Sequence, residues 1–334
     1  MKRFYKKGIS LFLILLMSFP LCACKSDDSK ALTTVKLNEV AHSIFYAPMY
    51  VAIEKGYFED EGIELSLTTG FGADKTMAAV VSGDADVGFM GTEASIYAYT
   101  EGAKDHVINF AQLTQRAGNF VVARENTDSF SYEDMIGKDV LGGRAGGTPE
   151  MVYEYVLREN GVSPSEVKID QSIDFGSTAA AFSGGQGDYT IEFEPSATAL
   201  EQSGDGYVVA SIGVDSGYLP YTAFCAKESY LKENADLIQH FTNALQKGMD
   251  YVAGHSPEEI ASVIAPQFSE TDLKTLTLIV SRYYDQETWN TDLILREEGY
   301  DLMLTILEES GVLSGAVPYE DLVNTDFAEK ASTL

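Results

Sequence analysis

AVVSGDADVGFM, residues 79–90, ends one element and starts another. Ala79 to Ser82 complete an amphipathic run begun at Ala73, Gly83 supplies a residue tolerant of the left-handed conformation that closes a helix, and Val87 to Met90 form a short apolar strand. AAFSGGQGDYTIE, residues 180–192, repeats the order of helix, glycine, aspartate and buried strand. One glycine cap before a strand carries little weight, because such caps are common. Two at the same place in two series point to a duplication.

Reading outward, TTVKLNEV (33–40) and IELSLTT (63–69) alternate as strands around a helical FYAPMYVAIEKG (45–56), and EASIYAYTEG (93–102) is a helix before the strand VINFAQL (107–113). After NFVVARE (119–125) and a capping-box start at Ser131 to Asp134, the pattern begins again. DVLGG, VKID, DYTIEF and YVVASIG are its strands, with helices at TPEMVYEYVLREN (148–160), STAAAFSGG (177–185) and PSATALEQSG (195–204). This order predicts an α/β chain of two lobes, each with a mostly parallel sheet. YTAFCAK (221–227) is a further strand expected to return to the first lobe and pair with NFVVARE as a two-stranded hinge. From Lys232 the pattern is helical, with starts at Ser256 and Thr271, and these C-terminal helices are expected to pack on the first lobe. The expected partition is therefore 33–118 with 222–334 as lobe I and 119–221 as lobe II.

The first residues, MKRFYKKGISLFLILLMSFPLCAC, read as a signal peptide: a basic start, then an apolar run from Gly8 to Leu21 that is too short to span a bilayer. Leu21-Cys22-Ala23-Cys24 resembles the bacterial lipobox, which makes Cys24 the expected lipidation site, residues 1–23 the signal peptide and residues 24–32 a tether. Removing residues 1–23 leaves 19 basic against 51 acidic residues, a net charge of −32. Such a surface repels nucleic acid and anionic headgroups, so acyl chains must hold the protein at the extracytoplasmic face of the membrane. With Cys24 lipidated only Cys225 remains, so no internal disulfide can form and stability must come from a core.

Tyr46-Ala-Pro-Met-Tyr-Val-Ala52, Lys55-Gly-Tyr-Phe58, Glu61-Gly-Ile63, Ala79 to Gly88, Ile136 to Val140, Tyr155 to Gly161 and Phe193-Glu194-Pro195 together cover roughly residues 35–225. As a set they resemble the solute-binding lipoproteins of ABC importers for nitrate, sulfonates, taurine and thiamine pyrimidine precursors. The resemblance implies a type II periplasmic-binding-protein fold: two lobes joined by two crossovers, closing on a small solute and presenting it to a permease and its ATPase. It implies no enzyme activity and no cofactor, and a monomer is expected. It leaves the ligand open.

Open α/β sheets bind ligands beyond the carboxyl ends of their strands. In the first lobe this selects 41–46, 70–74 and 91–93, with His42, Tyr46, Gly72 and Thr92 as candidates. In the second lobe, Gly142-Gly-Arg-Ala-Gly-Gly147 leads into Thr148 as N-cap and Pro149 as first helical residue, a terminus that with Arg144 suits an anionic group. The same stretch equally reads as a tight turn needing glycine. It is neither a Walker loop nor a dinucleotide fingerprint. Glu192 and Glu194, two apart on a strand, face the same way and suit an amino-substituted ring, with Tyr46 or Tyr218 stacked on it. A nitrogen heterocycle is favoured over a sulfonate or nitrate-type anion, which remains the alternative.

Metal and nucleophile chemistry fail on inventory, since none of the four histidines has a histidine or cysteine at i+3 or i+4, Cys225 sits in an apolar run, and there is no nucleophile elbow. A different class, fungal thiamine-pyrimidine synthases that consume a histidine and pyridoxal phosphate, shares the resemblance. Their cysteine-rich motif is absent, and only the place of His42 in a cleft loop speaks for them.

Overall fold

A computed structural model describes residues 31–334 apart from 128 and 174. The signal peptide, Cys24 and most of the tether lie outside the described residues.

Among the described residues ten strands form two five-stranded sheets. In the first, β1 (Thr33–Glu39), β2 (Ile63–Thr69), β3 (Val87–Met90), β4 (Val107–Thr114) and β10 (Thr222–Lys227) lie in the order β2-β1-β3-β10-β4. In the second, β5 (Asn119–Ala123), β6 (Asp139–Leu141), β7 (Lys168–Asp170), β8 (Tyr189–Phe193) and β9 (Tyr207–Ser211) lie in the order β7-β6-β8-β5-β9. The two orders are equivalent, as the repeated turn predicts. β1 pairs in parallel with β2 and β3, and β6 with β7 and β8; β10 and β5 each run antiparallel to both neighbours. Each sheet is thus mixed, with one reversed strand contributed from the other half of the chain order. Alternation sets β1, whose Val35, Leu37 and Glu39 are buried while Thr34 and Lys36 face water. The central β3 and β10 and the edge strand β4 are buried almost throughout.

The expected hinge pairing of 119–125 with 221–227 does not form, because β5 and β10 belong to different sheets. The links are the preceding segments 115–118 and 212–221, which bond to one another: Leu219 N donates to Gln115 O at 2.9 Å and Tyr221 N to Thr114 O at 3.2 Å. They pass so closely that a Cβ on Gly213 would lie 2.2 Å from Ala117 O, which requires glycine there.

The capping boxes at Ser131 and Ser256 are present, and the expected start at Thr271 falls at Asp272, which caps the helix Leu273–Asp285. The helix Ala235–Gly254 packs on Ala47–Glu54 against the first sheet, as expected. Two C-terminal helices also reach the second half, contrary to expectation. Arg282 on the helix Leu273–Asp285 pairs with Glu194 just past β8, and Arg158 on the helix Thr148–Glu159 pairs with Glu309 at the end of the helix Glu297–Glu309.

Candidate functional site

The carboxyl ends of β1, β2 and β3 face those of β6 and β8 around a cavity of about 610 Å³. Of the residues singled out from sequence, His42, Tyr46, Gly72, Arg144, Gly147, Thr148, Glu192 and Glu194 line it. Thr92 and Tyr218 do not. Thr92 is buried beside the link, its hydroxyl donating to Pro220 O at 2.8 Å. Tyr218, turned outward after the left-handed Gly217, lies under the Arg116 guanidinium at 4.0 Å and donates to Glu287, in a different hollow.

His42 leaves β1 one turn before the helix Ala47–Glu54. Its Nδ1 lies 3.1 Å from Glu39 Oε1 and its Nε2 lies 2.9 Å from the Gln267 carbonyl, while its ring packs on Tyr50 and Phe268, each 4.9 Å away. Glu39 is fully buried and also accepts from Tyr50 Oη at 2.5 Å and Thr69 Oγ1 at 2.9 Å. The bond to Glu39 holds the His42 pKa above its ordinary value against burial, which lowers it. Both ring nitrogens are engaged.

Glu194 and Glu192 part company. Glu194, just past β8, accepts from Thr198 N and Thr198 Oγ1, each at 2.9 Å, and pairs with Arg282. Glu192 has no ion pair among the described residues; Thr190 Oγ1 donates to it at 2.6 Å and Thr178 adds a further bond. Burial drives its pKa up to about 7, and these hydroxyls only partly oppose that.

The helix Thr148–Glu159 is capped by Gly147, with Thr148 already its first residue, one position earlier than expected. Its first turn is not vacant: Glu150 turns back to accept from Gly146 N at 3.1 Å and from Gln171. Burial, then the neighbouring Glu154, raise the Glu150 pKa to about 7. Arg144 is exposed at the rim and has no ion pair among the described residues.

Three lining residues went unselected in the sequence. Glu93 opens the helix Glu93–Thr100 after β3, is 7 % exposed, and has a pKa pushed up to about 7 by burial, with the Thr148 hydroxyl and its own N–H pulling the other way. A Cβ on Gly91 would fall 2.0 Å from Glu93 Oε2, so this glycine makes room for the folded-back carboxyl. Phe71, between Gly70 and Gly72, takes the left-handed region at φ 57° and is 76 % exposed. Tyr221, in the sequence only the first residue of the returning strand, brings its buried hydroxyl to the lining. The only available signal was place: all three sit at strand ends.

The described residues contain no cluster of His, Cys, Asp and Glu able to hold a metal, and none of their helices is long and apolar enough to cross a membrane.

The family described as "NMT1/THI5 like" matches residues 44–260. Over all 334 residues the chain is 43% identical to "Putative binding protein YtlA" of Bacillus subtilis (strain 168), covering 99% of that relative. It is 26% identical over 308 residues to "Riboflavin-binding protein RibY" of Chloroflexus aurantiacus, covering 87% of this chain and 84% of that one. Among solved structures, the periplasmic aliphatic sulphonate binding protein SsuA of Escherichia coli superposes with a TM-score of 0.70 at 16% identity, over 86% of this chain and 96% of that one. The periplasmic nitrate-binding protein NrtA of Synechocystis PCC 6803 gives 0.69 at 15%, over 90% and 89%. At these identities the two structures establish the two-lobed fold.

Proposed function

The chain belongs to the NMT1/THI5-like family, and on that footing we propose that it is an extracytoplasmic, monomeric receptor that closes on a small planar nitrogen heterocycle and hands it to an ABC permease. Lipidation at Cys24 anchors it. The observation that carries the ligand class is the cleft lining: Glu192 and Glu93 are buried, lack cationic partners among the described residues, and are held near neutrality beside Phe45, Tyr46, Phe71 and Tyr221. Such a lining suits a flat, uncharged, hydrogen-bonding solute. The name of the Chloroflexus relative, whose ligand is also a planar nitrogen ring system, supports the same class.

Arg144 and the start of the helix Thr148–Glu159 favour a second reading, a sulfonate or nitrate-type anion, which the names of the structural neighbours also suggest. Glu150 weighs against it, because its carboxyl already takes the Gly146 N–H that an anion would seek. A synthase role is weaker still. The His42 nitrogens are bound to Glu39, Tyr50 and Gln267, which leaves neither lone pair to attack a substrate.

Thermal unfolding of the secreted form tests the choice. Riboflavin, lumiflavin or 4-amino-2-methylpyrimidine at about 100-fold over its Kd stabilises by about 2.7 kcal/mol, and nitrate or methanesulfonate leaves the melting temperature unchanged. Stabilisation by the anions alone overturns the reading.

A further inference from the structure

Nine buried side-chain polar atoms among the described residues lack a hydrogen-bond partner, and three of them, Glu93 Oε2, Thr148 Oγ1 and Tyr221 Oη, belong to residues lining this one cavity. Buried polar atoms are ordinarily satisfied, so three orphans around one space mark a site whose partner comes from outside the chain. They come from separate parts of the fold. Glu93 follows β3 of the first sheet, Thr148 follows β6 of the second, and Tyr221 ends the link into β10. They are also mutually close: the Thr148 hydroxyl lies near enough to the Glu93 carboxyl to pull its pKa down without reaching hydrogen-bond geometry, and the Glu93 charge acts on Tyr221.

We propose that Glu93, Thr148 and Tyr221 read one edge of the ligand, a neutral edge in which an N–H donor lies beside an acceptor: the lactam of an oxidised ring, or the amino group and ring nitrogen of an aminopyrimidine. Glu93 accepts the N–H. The Thr148 and Tyr221 hydroxyls, each able to donate and accept, satisfy the neighbouring carbonyl oxygen or ring nitrogen. A charged edge fits less well, because an anion meets the carboxyl of Glu93 and a cation leaves both hydroxyls without an acceptor. Since the three residues lie on both sheets and the link, only one relative placement of the lobes satisfies the edge, so recognition and closure are the same event. This deepens the heterocycle reading above and rests on it.

The test uses two matched pairs, lumiflavin with 3-methyllumiflavin and 4-amino-2-methylpyrimidine with its 4-dimethylamino derivative, titrated into the wild type and into Glu93→Ala, Glu93→Gln, Thr148→Val and Tyr221→Phe. The wild type prefers the N–H member of at least one pair by about tenfold, and which pair responds separates lactam from aminopyrimidine. Glu93→Ala abolishes that preference, Glu93→Gln keeps most of it because its amide oxygen still accepts, and the two isosteric variants weaken binding about tenfold. Glu93→Ala, Thr148→Val and Tyr221→Phe melt at or above the wild-type temperature without ligand, since each removes an unpartnered buried polar group; a merely structural role moves the melting point the other way. Equal binding of N–H and N-methyl members, or a loss in Glu93→Gln as large as in Glu93→Ala, overturns the proposal while leaving the heterocycle reading intact. If neither pair binds the wild type, both fall.

Discussion

Arg282, on the helix Leu273–Asp285, pairs through Nη1 with Glu194 at the end of β8 and through Nη2 with Glu201 Oε2 at 2.5 Å. This pairing divides two carboxyls that stand two residues apart. Glu194 becomes part of the scaffold joining the C-terminal helices to the second sheet, and Glu192 is left as the acid of β8 that faces the cleft without a cation.

Breaking that pair is predicted to cost stability and not affinity. Arg282→Ala leaves Glu194, almost wholly buried, with only Thr198 as partner. Removing one member of such a pair costs about 3 kcal/mol. Urea unfolding of Arg282→Ala should show that loss, while ligand Kd changes less than threefold. A variant as stable as the wild type would mean that the pair contributes nothing.

Glu192 and Arg144 are predicted to separate the two ligand classes. Glu192→Ala removes a carboxyl facing the ligand and should weaken heterocycle binding about tenfold, whereas Arg144→Ala, at the rim, should change it less than threefold. Calorimetric titration of both variants decides the matter. Loss in Arg144→Ala with Glu192→Ala unaffected would transfer the site to anions.

Stability of the unliganded protein should fall as pH rises. Glu93 and Glu192 each have folded pKa values of about 7, above the ordinary carboxylate value, so between roughly pH 4.5 and 7 the folded state binds more protons than the unfolded one. Burying each as a charge then costs on the order of 3 kcal/mol above pH 7. His42 acts in the same direction but higher, because its raised pKa adds stability that is present below 6.5 and lost as pH climbs through the folded value. Urea midpoints from pH 5 to 8 should decline, and the double variant Glu93→Gln, Glu192→Gln should flatten the lower part of the curve. A midpoint rising over pH 5 to 7 would contradict the burial argument.

The order of elements was legible because each strand has its own signature: alternation in β1, unbroken apolar runs in β3 and β10, glycine after the helices Ala73–Ser82 and Ser196–Ser203. Pairing was less so. Residues 119–125 and 221–227 read as strands of the same kind, and only the sheet edges left open by other strands decide that they separate. The cleft loops followed from strand ends, but the standing of each side chain within them depended on distant residues. Arg282 removes Glu194 from service, Glu287 and Arg116 hold Tyr218 outside, and Gly91 folds the Glu93 carboxyl inward. No local pattern encodes such partners.

Closure is predicted to depend on the crossing of Ala117 and Gly213. Bridging ligand favours the state in which both lobes touch it, so the radius of gyration from small-angle scattering should decrease at saturation. Gly213→Ala forces a Cβ to within 2.2 Å of Ala117 O unless the links part, and should destabilise by about 1–3 kcal/mol while weakening binding. An unchanged radius with bound ligand would remove the hinge.

Anchorage is the last prediction, and it rests on chemistry at Cys24. The acidic chain repels anionic headgroups, and the proposed lipidation at Cys24 would supply the attachment through acyl chains on that cysteine. A single acyl chain binds only marginally, whereas a diacylglyceryl group carries two and gives stable retention. Cys24→Ala should therefore release the protein into the medium or leave it as unprocessed precursor, with ligand affinity of the released form unchanged. Fractionation with mass analysis of the N-terminus reads the outcome. Full processing after residue 23 together with tight membrane retention of Cys24→Ala would require a different anchor.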